Sequence, residues 1–381
     1  MLSIEMLNFE QAMEHFESFV KMCRIDGQDE SFYGGKANKL SGKNVTENKG
    51  DFLGFLSHND NAAIDLTFSA PKSLSILIEL TEDTTLREKL IGIHDDAVRK
   101  TLGYMENNLI VTRVSKGKDP RGKRVNALVT PDKGIEWAAF RHHASSENDP
   151  HLYTRAVVAN RIYVKGQEYS IDARDLYKYL IALGKMYRAE LYNALEAAGI
   201  SCKVTDYKNF FFTVEWISEE VIQIFSKQSK NMDKLLKELK KEFPDEPEAR
   251  LKELANLESR PDQGRTKTLK ELRAGWKKES PQKYITYIKK SVVLANTDDA
   301  IKAAVEAAER YAERYPFLSY IGGFSDLDFK NSVKQILIYK GYRFNEATIQ
   351  AAFKEVIKKR LVKEIGKNLF ISQRRRNGFD R

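Results

Sequence analysis

Three imidazoles fall within ten residues in the stretch Phe140 to Arg161, FRHHASSENDPHLYTRAVVANR: His142 and His143 before an Asp149-Pro150 turn signal, and His151 just after it. Side chains of this type bind borderline divalent cations or move protons near neutral pH. The residues beyond the turn give them a frame. His151, Tyr153 and Arg155 alternate with Leu152 and Thr154 before the apolar run Ala156-Val157-Val158-Ala159. That alternation predicts a strand entering a sheet, with residues 151, 153 and 155 on one face. A second strand is expected at Ile64-Asp65-Leu66-Thr67-Phe68, followed by a helix that opens at Pro71.

These two stretches carry a family resemblance. Asp65-Leu66-Thr67-Phe68-Ser69-Ala70-Pro71-Lys72-Ser73 looks like the DLTFSAPKS signature of the MobF-class (TrwC/TraI-like) conjugative relaxases. Phe140 to Asn160 aligns without a gap to their metal motif, F-x-H-x-x-S-R-x-x-D-P-x-L-H-T-H-x-x-x-x-N. Phe140, His142, Ser145, Asp149, Pro150, Leu152, Thr154 and Asn160 match; Ser146, Tyr153 and Arg155 depart from it. Leu183 to Leu191, the Ala198-Gly199 helix end and Ile224 to Lys227 extend the likeness across residues 1 to 280 or so. The resemblance implies an α+β, HUH-type core with a central antiparallel sheet flanked by helices. It also implies DNA as substrate, three histidines on a divalent metal, and a tyrosine nucleophile from the N-terminal helix.

The chemistry that the resemblance implies is damaged in two places. Of the three metal positions only His142 keeps its imidazole, since the other two hold Tyr153 and Arg155. In the N-terminal helix His15, Phe16 and Phe19 stand where tyrosines are expected, and the first tyrosine of the chain is Tyr33, in Ser31-Phe32-Tyr33-Gly34-Gly35. Tyr33 is a candidate displaced nucleophile, although a tyrosine beside a glycine pair reads more simply as a packed aromatic at a turn. His142, His143 and His151 form a candidate displaced metal set for Mg or Mn; a shift of two strand residues moves a ligand by about 6–7 Å. No cofactor is expected unless that set assembles. The resemblance puts Asp65 behind the metal as partner of a ligating histidine. With that histidine replaced, Asp65 is expected to pair with Arg155 directly.

The 381-residue chain has room for several cores, its 42% apolar content is that of a globular protein, and its net charge of +9 suits a polyanionic partner. Cys23 and Cys202 are too few and too far apart for a disulfide framework. No apolar run approaches a membrane span and the acidic N-terminus is unlike a signal peptide, so a cytoplasmic protein without membrane contact is expected.

Three consecutive segments are expected: a relaxase-like core over 1–215, helical fingers over 216–280, and a winged-helix-like domain over 281–381, ending in the basic tail Arg374-Arg375-Arg376. Candidate DNA-binding residues are Lys72, Arg155, Lys227, Lys230 and a basic hairpin with Arg113, Lys116, Lys118, Arg121, Lys123 and Arg124 around glycines and a proline. Phe210-Phe211-Phe212 reads as a half-buried edge strand in preference to a base-stacking surface. The absence of G-x-x-x-x-G-K-[ST] excludes a P-loop motor within these residues. The expected function is a relaxase-derived pseudoenzyme that binds single-stranded or hairpin DNA of a mobile element, with other conjugation or mobilisation proteins as further partners. The alternatives are a divergent active relaxase acting through Tyr33, and a protein-interaction subunit that has lost DNA as well.

Overall fold

Five strands build the central sheet: β1 (Leu2–Leu7), β2 (Ser31–Gly34), β3 (Ala63–Ser69), and two later strands, Trp137–Ala144 and Pro150–Ala159, of which the last alternates most clearly before its apolar end. The last two are β6 and β7, because a ribbon of β4 (Thr112–Lys118) and β5 (Arg124–Val129) intervenes. The order is β1-β3-β7-β6-β2, and every neighbouring pair is antiparallel. Ile64–Phe68 and Leu152–Val158 are thus neighbouring antiparallel strands, as the family resemblance implies. The computed structural model describes residues 1–27, 30–47, 49–56, 61–244, 246–247, 250–251, 254–255, 267–281, 284–288, 292–314, 324–366 and 369–372. The terminal arginines at 374–376 lie outside them.

Helices cover both faces of the sheet. On one side α1 (Phe9–Asp26) and α2 (Lys49–Phe55) supply Phe16, Phe19, Phe52 and Phe55 to a core shared with Phe140 and Val157. On the other lie α3 (Lys72–Leu80) and α4 (Thr84–Asn108). The α3 helix starts behind Pro71, whose fixed φ suits a first turn, and buries Leu74, Ile76, Leu77 and Leu80. Asp83 caps α4 by accepting from the Leu86 amide at 3.0 Å. The glycine pair after Tyr33 is dictated by packing. A side chain on Gly34 would run into the Trp137 ring, and Gly35 takes φ +98° against the Ile135 carbonyl.

The chain continues through the short hairpin β8 (Ile162–Val164) and β9 (Gln167–Tyr169), α5 (Arg174–Ala197), and the hairpin β10 (Cys202–Asp206) with β11 (Phe211–Val214). Then come α6 (Glu219–Ile224), α7 (Lys227–Glu242) and α8 (Leu269–Glu279). The last elements are β12 (Val293–Leu294), α9 (Thr297–Arg314), β13 (Phe324–Ser325), α10 (Asp326–Tyr339), β14 (Tyr342–Arg343), α11 (Glu346–Lys358), β15 (Val362–Gly366) and β16 (Leu369–Ser372).

Contacts divide the chain into two interleaved units: Met1–Leu180 with Thr213–Tyr287, and Ile181–Phe212 with Ile288–Arg381. The expected boundaries at 215 and 280 cut across this division. The reason lies in the second unit's interior. Buried Lys334 of α10 donates to Glu190 of α5 at 2.8 Å and pairs with Glu346 at 2.9 Å, while Asn193 exchanges two hydrogen bonds with the Phe344 backbone. These contacts tie the end of α5 to the C-terminal helices. Among the described residues no helix is long and apolar enough to cross a membrane.

Candidate functional site

Strand register assembles the motif residues on the α1 side of the sheet. His142 of β6 lies directly opposite Tyr153 of β7, Phe140 opposite Arg155, and Arg155 opposite Thr67 of β3. The rings of His142 and Tyr153 stack face to face, 4.5 Å between centroids and 6° from parallel. Phe19 of α1 meets His142 edge-on at 5.2 Å, and His151 tilts against Tyr153 at 5.2 Å. Below them Phe16 stacks on Phe52 at 4.4 Å. Helix α1 therefore presents two phenyl rings to the motif strands and no hydroxyl nucleophile.

Beside the stack, Arg155 lies on Asp65 as expected from sequence. Its Nε donates to Asp65 Oδ2 at 2.8 Å and its Nη2 donates to the same oxygen. Both donors use one oxygen, so the contact is no two-oxygen fork; Asp65 Oδ1 is buried without a hydrogen-bond partner among the described residues. His15 Nε2 lies 3.3 Å from Arg155 Nη2. Burial, with the neighbouring guanidinium adding to it, lowers the His15 pKa to about 4, so the ring is neutral and can accept. Burial pushes the Asp65 carboxyl up while Arg155 pulls against it.

His143 points the opposite way. A register shift between His142 and Ala144 accompanies the split, and His143 enters a buried ionic cluster on the α3 side. Its Nδ1 meets Glu79 Oε1 at 2.6 Å and its Nε2 meets Glu30. Burial works against the charge on this ring, but Glu79 and Glu30 outweigh it and raise its pKa to about 9. Arg273 of α8 closes the far side on Glu79 at 2.8 Å, and Arg141 donates to Glu30 at 2.7 Å and reaches Asp95. His94, beside Thr154 at 2.9 Å, is lowered to about 3 by burial and Arg141.

Other expected residues fall in several places. Tyr33 is 2% exposed within the aromatic core, burial pushes its phenol well above the usual range, and its hydroxyl meets no partner among the described residues. The simple reading, a packed aromatic, describes that place. Lys72 donates to the Pro150 carbonyl at 3.0 Å, and burial lowers its pKa to about 8. Lys227 is engaged internally: its amide donates to Asp149 at 2.8 Å and its Nζ to Glu279 at 2.9 Å. Arg113 pairs with Asp172 at 2.8 Å. Lys230, Lys116, Lys118, Arg121, Lys123 and Arg124 are exposed. At the ribbon tip Asp119 accepts from the amides of Arg121 and Lys123, which holds the turn and leaves the basic side chains outward.

Glu30, Glu79, Arg141 and Arg273 were not singled out by sequence as a cluster. The available signal was Glu79, one carboxylate in the otherwise apolar helix KSLSILIEL.

A divalent ion held by three imidazoles does not fit these residues. His142 is covered by Tyr153 and Phe19, Arg155 brings a cation to the third position, His143 faces the other side, and among the described residues no three metal-type side chains converge. The displaced set His142, His143 and His151 is likewise not brought together. Burial and nearby Lys72 lower His151 to about 3.

Comparison with known proteins bears on this arrangement. The family model described as TrwC relaxase matches residues 7–282. The multifunctional conjugation protein TraI of Escherichia coli K12 is 31% identical over 157 residues, 39% of this chain. A second Escherichia coli TraI is 32% identical over the same length. The match covers only 8% of the length of either TraI. Among solved structures, TrwC complexed with a 27-mer DNA comprising the recognition hairpin and the cleavage site superposes with TM-score 0.61, at 25% identity over 76% of this chain and 100% of that one. Metal-bound conjugative relaxase TrwC in complex with oriT DNA gives 0.59 at 26% identity, over 73% and 97%.

Proposed function

Since the chain belongs to the TrwC relaxase family, we propose that it is a relaxase-derived DNA-binding protein of a mobile element, which holds single-stranded or hairpin DNA without nicking it. The observation that carries this reading is the Arg155 guanidinium seated on Asp65 where the family pattern has a metal-ligating imidazole. A fixed cation there repels a metal, yet Arg155 is 24% exposed, and neither Asp65 nor His15 engages its Nη1. It is thus a donor for one phosphate oxygen. The β4–β5 ribbon supports the same reading, with six basic side chains against one acidic, Asp119. Phosphate cleavage needs both an in-line nucleophile and stabilisation of developing charge; loss of either costs several kcal/mol of barrier, on the order of 3–4 for one electrostatic contact.

Divergent catalysis through Tyr33, with Mg or Mn on the displaced histidines, draws no support from a phenol buried in the core. The DNA that TrwC is seen to bind makes an oriT-like hairpin with a single-stranded tail the natural probe. The test measures binding of that probe in EDTA across a salt series, then strand cleavage with Mg or Mn. Metal-independent, steeply salt-dependent binding with no cleaved strand is expected. Cleavage abolished by Tyr33→Phe would establish the divergent enzyme, and absence of binding at low salt would favour a protein-interaction subunit.

A further inference from the structure

The second unit carries an aromatic surface with no part in the role proposed for Arg155. The turn between β10 and β11 is stiffly built: Asp206 accepts from the Asn209 amide at 3.1 Å and from Asn209 Nδ2 at 2.8 Å. Arg188 donates both Nε and Nη2 to the Asn209 carbonyl, at 3.0 and 2.7 Å. Phe210 takes φ +59°, a left-handed conformation that a bulky side chain adopts only when its surroundings force it. That conformation drives Phe210 into the interior against Tyr192 and turns Phe211 outward. The Arg188 guanidinium sits 4.6 Å from the Phe211 ring centre, behind the exposed ring.

Two more rings extend the surface. Tyr207, on the same turn, is 47% exposed and stands edge-on to Tyr339 at 5.4 Å; Tyr339, the last residue of α10, is 67% exposed. Single exposed aromatics need no explanation, but three carried by a strained, cation-backed turn and a helix end do. The flanking charges are basic: Lys203, Lys208 and Lys340 are exposed. Asp206 accepts from Asn209 and keeps its charge, and Glu306 pairs with Lys340 and Arg310.

We infer that Tyr207, Phe211 and Tyr339 form a stacking platform for unpaired bases of single-stranded DNA, with Lys203 and Lys208 beside its phosphates. Every base has a π-face, so rings with arginine support and a basic rim bind single strands without reading sequence. This site lies in a different compact unit from Arg155 and stands or falls independently of the role proposed for that residue.

The test uses the full chain and an oligothymidine lacking any hairpin, partly substituted with 5-iodouracil. Binding is followed by anisotropy and photo-crosslinks are mapped by mass spectrometry. Crosslinks at Tyr207, Phe211 or Tyr339 are expected. Affinity is expected to fall roughly tenfold for Tyr207→Ala or Tyr339→Ala and to survive Tyr207→Trp, which keeps a ring, while Tyr207→Leu fails. The crosslinks should persist in Arg155→Ala, which separates the two sites. Crosslinks confined to other peptides with unchanged affinity in the alanine variants would overturn the assignment. So would concentration-dependent self-association abolished by Tyr339→Ala, which would make the patch a contact between copies.

Discussion

Adjacent residues His142 and His143 end on opposite faces of one sheet, and the two faces treat charge in opposite ways. On the α1 side the family's metal position is filled by rings and one ion pair: Phe19, His142 and Tyr153 in a stack, and Arg155 on Asp65. On the α3 side a fully buried carboxylate, Glu79, is shared by His143 and Arg273, with Glu30 and Arg141 extending the chain of charges. The first face carries Tyr153 and Arg155 where the family pattern has imidazoles. The second has ionised groups whose removal leaves partners stranded, because a buried charge without its counter-charge is far costlier than the pair was worth. Loss of two imidazoles of the family pattern and retention of a polar interior thus coexist within a few residues.

The largest expected effect breaks the second face. Glu79→Ala strands Arg273 without its counter-charge, leaves His143 with Glu30 alone, and should cost about 3–5 kcal/mol. That lowers the melting temperature by roughly 10 °C, whereas Tyr153→Ala on the first face should cost less. Equal losses in thermal denaturation would remove the contrast.

Acidity should separate the imidazoles next. His143 has its pKa raised to about 9, so its contribution to stability is complete below about 6.5 and is lost as pH rises through 9. His15 and His151, lowered to about 4 and about 3, behave in the reverse sense: stability is lost as pH falls from their unfolded value toward those pKa values. Denaturant midpoints should therefore peak near neutral pH. His143→Gln should flatten only the alkaline limb, and a variant that flattens the acid limb instead would contradict the assignment.

Restoration sharpens the first face. Tyr153→His with Arg155→His should bind Mn in calorimetry where either change alone does not, and nicking should emerge only when Phe16→Tyr or Phe19→Tyr is added. Nicking by the double variant without a new tyrosine would show that another nucleophile is within reach. The smallest effect belongs to the ribbon: Lys123→Ala should weaken hairpin binding a few-fold at every sequence and reduce the salt slope by about 0.7–0.9.

Two strands of the sheet, β3 and β7, were legible in sequence because residues 151–155 alternate and DLTFSAPKS and FRHHASSENDPHLYT are long strings, whereas β2 and β6 were not. Several matching motif positions turn out to build scaffold. Ser145 and Asp149 close the turn before β7, Asn160 ties the Asn61 carbonyl to the Ile171 amide, and Ser73 receives the Val214 amide. Phe210-Phe211-Phe212 was half legible: Phe211 out and Phe212 in follow the alternation of a strand, but Phe210 is buried from a turn with a left-handed backbone angle that no residue-type pattern encodes.

By itself the sequence determined the family resemblance and, through it, the expected sheet, the two missing imidazoles, the missing α1 tyrosines and the Asp65–Arg155 pairing, while a period of two marked only the strands around Asp65 and Tyr153. Only the tertiary structure decided that His143 is a cation in a buried cluster, that Tyr33 is core, that Lys227 is spent on Asp149 and Glu279, and that the end of α5 belongs with the C-terminal helices. Those outcomes depend on which distant side chain arrives opposite a charge. Glu79 and Arg273 are separated by 194 positions in the chain, and no local pattern of either residue announces the other.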